Sequence, residues 1–109
     1  MVHLDRKPNV ITLCGSTKFK KEFEEENRRL TLQGNIVISV AFFAHKGDKV
    51  TDKEKRFLDR MHLRKIDLAN EIFVINKDGY LGRSARREIK YARMKGKRIL
   101  WLEPSKAWP

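Results

Sequence analysis

Four apolar runs punctuate the chain at intervals that leave room for a helix between each pair. Val10 to Leu13 is β-branched and apolar and ends in Cys14-Gly15-Ser16-Thr17, the form of a strand passing into a helix N-terminus, with Ser16 or Thr17 as the cap. Phe19, Phe23 and Leu30 then fall at helical spacing, and Gly34-Asn35 supplies a stop before a second buried run, Ile36 to Val40. Ala41 to Asp52, with Phe42, Phe43, His45 and Gly47, has no clear period and reads as a loop over the site. Lys53 to Ala69 reads as an amphipathic helix with Phe57, Met61 and Leu68 on its inner side. Ile72 to Ile75 is a third strand, Ser84 to Lys95 a third helix, and Ile99 to Leu102 a fourth strand.

Strands alternating with helices imply right-handed βαβ units, because parallel neighbours need a crossover. The expected architecture is a small α/β, doubly wound, Rossmann-like or flavodoxin-like parallel sheet of about four strands, with helices on both faces. The 109 residues suffice for a single domain with one modest core, spanning roughly residues 10–102. Trp101, Trp108 and the pair Phe42-Phe43 are apolar beyond what so small a sheet buries, so a homo-oligomer is expected.

Met1 to Asn9 is charged and broken by Pro8, and no apolar run approaches the roughly 20 residues that span a bilayer, so a cytoplasmic protein without a membrane partner is expected. Cys14 is the one cysteine, which excludes an intrachain disulfide and argues against a structural zinc site. His3, His45 and His62 lack ligand spacing, and neither a metal nor an organic cofactor is expected.

The formal charge of +11 is unevenly placed. Between Arg83 and Arg98 stand Arg83, Arg86, Arg87, Lys90, Arg93, Lys95, Lys97 and Arg98, with Glu88 as the sole acid. Such clustering fits phosphate-bearing small molecules or, as a less favoured reading, a nucleic-acid backbone. With Tyr91 the only aromatic among those cations, base stacking has little to work with and nucleic acid is the weaker alternative.

In an open α/β sheet ligands bind beyond the carboxyl ends of the strands, which draws attention to the first and third strand-to-helix turns. Gly15, Ser16 and Thr17 offer backbone N–H groups and hydroxyls to an anion, or simply an N-cap. Asn76 ends the third strand. Gly79 and Gly82 flank Tyr80-Leu81, permitting positive φ and close ligand approach, and Ser84 is the expected cap of the third helix. Glu88 is a candidate nucleophile against the plainer reading of an exposed acid among cations; His62 by itself reads as a surface histidine, and Cys14 as a packing residue.

Ile11-Thr12-Leu13-Cys14-Gly15-Ser16, Leu63 to Asn70 leading into the third strand, and Gly-x-x-Gly-x-Ser-x-x-x-Glu-x-x-Tyr-Ala from Gly79 to Ala92 together resemble the nucleoside 2-deoxyribosyltransferase superfamily, which includes the deoxynucleoside 5′-phosphate N-hydrolases. The resemblance implies an enzyme that cleaves or transfers the N-glycosidic bond of a 2′-deoxynucleoside or its 5′-monophosphate. Glu88 would attack the anomeric carbon, kept ionised by neighbouring arginines, and a covalent glycosyl-glutamate would pass the sugar to water or a second base. It further implies that Gly15, Ser16, Thr17, Asn76, Gly79, Tyr80 and Gly82 line the substrate, and that Ser84 with Arg83 or Arg86 takes a 5′-phosphate. Where the family usually has an Asp on the second helix, eight residues before Asn70, this chain has His62, a candidate proton donor at its ordinary pKa near 6.5. Thr12 stands near the usual place of a tyrosine. These departures keep open a non-catalytic nucleotide-binding or sensing domain on the same fold.

Overall fold

The computed structural model describes residues 7–43 and 49–105. His3, His45, Gly47 and Trp108 fall outside the described residues. Four strands, β1 (Val10–Gly15), β2 (Ile36–Ile38), β3 (Glu71–Ile75) and β4 (Arg98–Trp101), form one wholly parallel sheet in the order β2-β1-β3-β4. Three helices connect them: α1 (Lys20–Leu32), α2 (Asp52–Leu68) and α3 (Arg83–Met94). This is the expected doubly wound arrangement, with the strand order reversing between β1 and β3.

Side-chain alternation along β1 divides the molecule. Ile11 and Leu13 pack with Phe23 and Leu30 of α1 and with Phe73 and Ile75 of β3. Cys14 points the opposite way, into a layer with Ile66 of α2, Ile72 and Val74 of β3, and Ile89 and Ala92 of α3. Thr12 shares that second face, where its hydroxyl donates to the Lys65 carbonyl at 2.9 Å. β3 is buried along its whole length, as a central parallel strand covered on both faces should be.

Local chemistry explains the helix boundaries. α2 starts at a reciprocal cap in which Thr51 Oγ1 accepts from the Glu54 amide and Glu54 Oε1 accepts from the Thr51 amide, each at 3.0 Å. Ser16 does cap, its Oγ accepting from the Lys18 amide at 3.3 Å, but the element it opens is a single 3-10 turn, Thr17–Phe19, ahead of α1 proper. β2 ends at Ile38, short of Val40, as expected of an edge strand that gains only one neighbour.

The inner face of α2 differs from its expected composition. Phe57 is 55% exposed and Leu68 72%, and Met61 is also on the outside, whereas His62, Ile66 and Ala69 face the sheet. The large apolar side chains drew the helical wheel about one position out of phase, because a polar imidazole occupies the centre of the buried stripe. No helix among the described residues is long and apolar enough to cross a membrane.

Candidate active site

At the switch, the end of β1 lies directly against the end of β3, Gly15 pairing with Ile75. Gly15 has φ 146°, and a Cβ there would lie 2.7 Å from the Ile75 carbonyl oxygen, so glycine is what lets the two strand ends meet. Gly15 thus has a structural reason to be glycine that is independent of any ligand. Immediately before it, the Cys14 side chain descends toward α2 and α3 and meets two others.

These are His62 of α2 and Glu88 of α3. His62 Nε2 lies 3.6 Å from Cys14 Sγ and 3.9 Å from Glu88 Oε1, and the ligating atoms of all three residues fall within 4.8 Å of one another. All three are buried: Cys14 fully, His62 with 6% of its surface exposed and Glu88 with 8%. Neither the surface histidine nor the exposed acid expected from composition is found. Sequence spacing gave no ligand pattern because the three residues come from separate elements, 48 and 26 positions apart. The signal that was available is periodic: positions 62, 66 and 69 form one stripe, as do 85, 88, 89 and 92.

Burial sets the protonation states. His62 Nε2 stands 3.0 Å from the Leu13 carbonyl oxygen, which can only accept, so this nitrogen carries the proton. Burial, helped by the Lys65 charge, holds the imidazole down to about 4, leaving it neutral at physiological pH and removing the expected imidazolium donor. Burial likewise pushes the Glu88 carboxyl up to about 8, against the opposing pull of a Cys14 hydrogen bond and of Lys55 and Arg87. The expectation that arginines keep Glu88 ionised is therefore corrected: those guanidiniums are in water, while the carboxyl is in the core. Burial, with Glu88 next to it, also raises the Cys14 thiol well above its ordinary range.

The third turn lies against the first. Tyr80 packs edge-on to Phe19 with ring centres 5.9 Å apart, and Lys18 Nζ sits 3.5 Å from the centre of the Tyr80 ring. Gly79 takes positive φ, 76°, but Gly82 has φ −77° and serves as the N-cap residue of α3, so only one of the pair uses glycine's freedom. Ser84 does not cap α3; it lies inside the first turn, where its Oγ accepts from Lys55 Nζ at 3.2 Å.

Asn76 is buried and already engaged. Its Nδ2 donates to the Glu103 carbonyl at 3.0 Å and its Oδ1 accepts from the Glu103 amide at 2.9 Å, so both halves of the amide clamp the segment after β4. Its expected substrate contact gives way to this structural duty. Arg83 and Arg86 line an open cavity of about 450 Å³ with Leu81, Arg87 and Lys90. A second cavity of about 350 Å³, lined by Arg56, Asp59, Arg60 and Leu63, shares Arg87 with it.

A parallel, doubly wound sheet with a buried carboxyl beside its switch point places the chain in the α/β class of folds. No protein-family profile and no curated protein matches the chain. Among solved structures it is similar to a 2-deoxyribosyltransferase from the psychrotolerant bacterium Bacillus psychrosaccharolyticus, with a TM-score of 0.66 and 18% identity over 92% of this chain and 76% of that one. The likeness establishes a shared fold.

Proposed function

We propose that this chain is an enzyme that cleaves or transfers the N-glycosidic bond of a 2′-deoxynucleoside or its 5′-monophosphate. The observation that supports this reading best is the position of Glu88: a buried carboxyl beside Cys14, near the carboxyl end of β1, in a fold shared with a 2-deoxyribosyltransferase. A carboxylate held in a largely dry pocket is a strong nucleophile once ionised, and its negative charge stabilises an oxocarbenium-like transition state.

In the first step a Glu88 oxygen bonds to the anomeric carbon, and the C–N electron pair leaves with the base, which takes up a proton. In the second, water or another nucleobase attacks the same carbon and returns the carboxylate. Two inversions give net retention. His62, neutral and donating its Nε2–H to the Leu13 carbonyl, flanks the Glu88 carboxyl at 3.9 Å rather than supplying a charge. Gly15, Ser16 and Thr17 border the sugar, Tyr80 and the Gly79 turn close over it, and Arg83, Ser84 and Arg86 form the end that accepts a 5′-phosphate.

A second reading, a nucleotide-binding or sensing domain without turnover, draws on one observation: a carboxyl pushed up to about 8 is mostly protonated at neutral pH. One assay divides the two. Purified protein is incubated with each deoxynucleoside and deoxynucleotide, with and without a free acceptor base, and base release is followed for the parent and for Glu88→Ala. Release that depends on Glu88 supports the enzyme; binding without release by the parent supports the sensor; release undiminished in Glu88→Ala removes the proposed mechanism.

A further inference from the structure

We propose that Cys14, His62 and Glu88 together form a binding site for one zinc-type divalent cation. Among the described residues these are the one group of three Cys, His, Asp or Glu side chains whose ligating atoms gather within 4.8 Å. They are supplied by three different elements, β1, α2 and α3, each fixed by core packing on the same face of the sheet.

The geometry fits a tetrahedral ion. Bond lengths of about 2.3 Å to sulfur, about 2.05 Å to imidazole nitrogen and about 2.1 Å to carboxylate oxygen give tetrahedral edges of about 3.6 Å from S to N and about 3.4 Å from N to O. The observed Sγ to Nε2 distance is 3.6 Å, already an edge of that tetrahedron. The observed Nε2 to Oε1 distance is 3.9 Å, so the carboxylate has to close by about 0.5 Å, within reach of a small side-chain rotation. Thiolate and imidazole together select zinc over magnesium or calcium, which prefer oxygen donors throughout.

Charge favours the ion as well. A thiolate and a carboxylate neutralise a dication, so the occupied site buries no net charge, whereas either anion alone is costly in the core. The proton balance is definite. Cys14 gives up its thiol proton, Glu88 gives up its own when it holds one, and the His62 proton moves from Nε2 to Nδ1 without net release. That last shift costs the hydrogen bond to the Leu13 carbonyl. Three protein ligands leave the fourth tetrahedral position to water or an anion.

An ion there occupies the carboxylate that would attack the sugar. Zinc is therefore an inhibitor, a consequence that rests on the glycosyl-transfer reading, whereas the cation site itself does not.

Chelator-treated protein titrated with Co²⁺ reads the site directly. The expected result is one equivalent bound, with a thiolate-to-cobalt charge-transfer band and tetrahedral visible bands, both displaced by one equivalent of Zn²⁺ with release of protons to the solvent. Cys14→Ser, close to isosteric, should abolish the charge-transfer band. Glu88→Gln, which removes the costly buried acid and should fold readily, should weaken Zn²⁺ binding by more than the roughly ten- to hundredfold that a mere supporting partner contributes. Circular dichroism verifies that each variant is folded. Absence of stoichiometric binding, or binding that Cys14→Ser and Glu88→Gln leave unchanged, overturns the proposal. Zinc uptake by a protein that turns over no deoxynucleoside upholds the site and sinks the enzyme reading; turnover without zinc uptake does the reverse.

Discussion

His62 and Glu88 face each other at 3.9 Å without forming an ion pair at neutral pH. Both are buried, one held neutral by a pKa of about 4 and the other by a pKa of about 8, and the imidazole proton is engaged by the Leu13 carbonyl. The contact is one between two uncharged groups at neutral pH, and as pH rises it acquires a charge when Glu88 loses its proton.

On the glycosyl-transfer reading, the pH dependence of turnover is set by that proton. If Glu88 acts as the ionised nucleophile, kcat/KM of chelator-treated protein should rise with pH along a limb centred near 8, the carboxyl value in the free protein. The Cys14 hydrogen bond lowers the Glu88 value, so Cys14→Ala should carry that limb to higher pH. A profile flat between pH 6 and 9 would count against a titrating nucleophile.

Stability should respond with the opposite sign. Glu88 has a folded pKa above its unfolded one, so its contribution is present in full below about 4.5 and is lost as pH rises toward 8. His62 has a folded pKa below its unfolded one, so its contribution is present above about 6.5 and is lost as pH falls toward 4. The two offset each other between those limits, and Glu88 acts alone above 6.5. Denaturant unfolding should therefore show the protein losing about 1–2 kcal/mol between pH 6.5 and 8, a slope absent from Glu88→Gln.

Gly15→Ala tests the close approach of β1 and β3. The added methyl meets the Ile75 carbonyl at 2.7 Å on a backbone with φ 146°, and the strands cannot part without breaking their ladder. A loss of about 2 kcal/mol or more is expected from chemical denaturation.

Asn76→Ala separates clamp from substrate contact. Removing it unpairs the Glu103 amide and carbonyl, at a cost of about 1–3 kcal/mol in stability. Since both ends of the Asn76 amide are already used, KM for any deoxynucleoside should move little. A large KM change at unaltered stability would restore it to the substrate.

The wall of Arg83, Arg86, Arg87 and Lys90 makes a selective prediction. Arg86→Ala should raise KM for a deoxynucleoside 5′-monophosphate about tenfold or more, the worth of one charge-assisted hydrogen bond, while leaving the unphosphorylated nucleoside unaffected. Equal effects on both substrates would place the phosphate elsewhere.

The sheet was legible because buried parallel strands are written as runs of β-branched and apolar residues, and Val10 to Leu13 and Ile72 to Ile75 are such runs. The site was only half legible. Glu88 stood out as a lone acid among cations, yet its burial and raised pKa depend on α2 and β1, which sequence distance hides. Cys14 and His62 looked ordinary because their partners are fixed by sheet order, and Asn76 looked available because its bonds are to the backbone of Glu103, which leaves no pattern in side-chain identity. Ser84 misled by fitting a capping signature close to Gly82, the residue that takes the place.

The alternation along β1 gives the protein two unequal halves. The thiol, the imidazole and the acid all hang on the α2 and α3 side, while the α1 side holds Ile11, Leu13, Phe23, Leu30 and Phe73 and serves as packing alone. Variation can accumulate beneath α1 as a tuning of rigidity, and new chemistry can be tried above the opposite layer, with neither experiment disturbing the other.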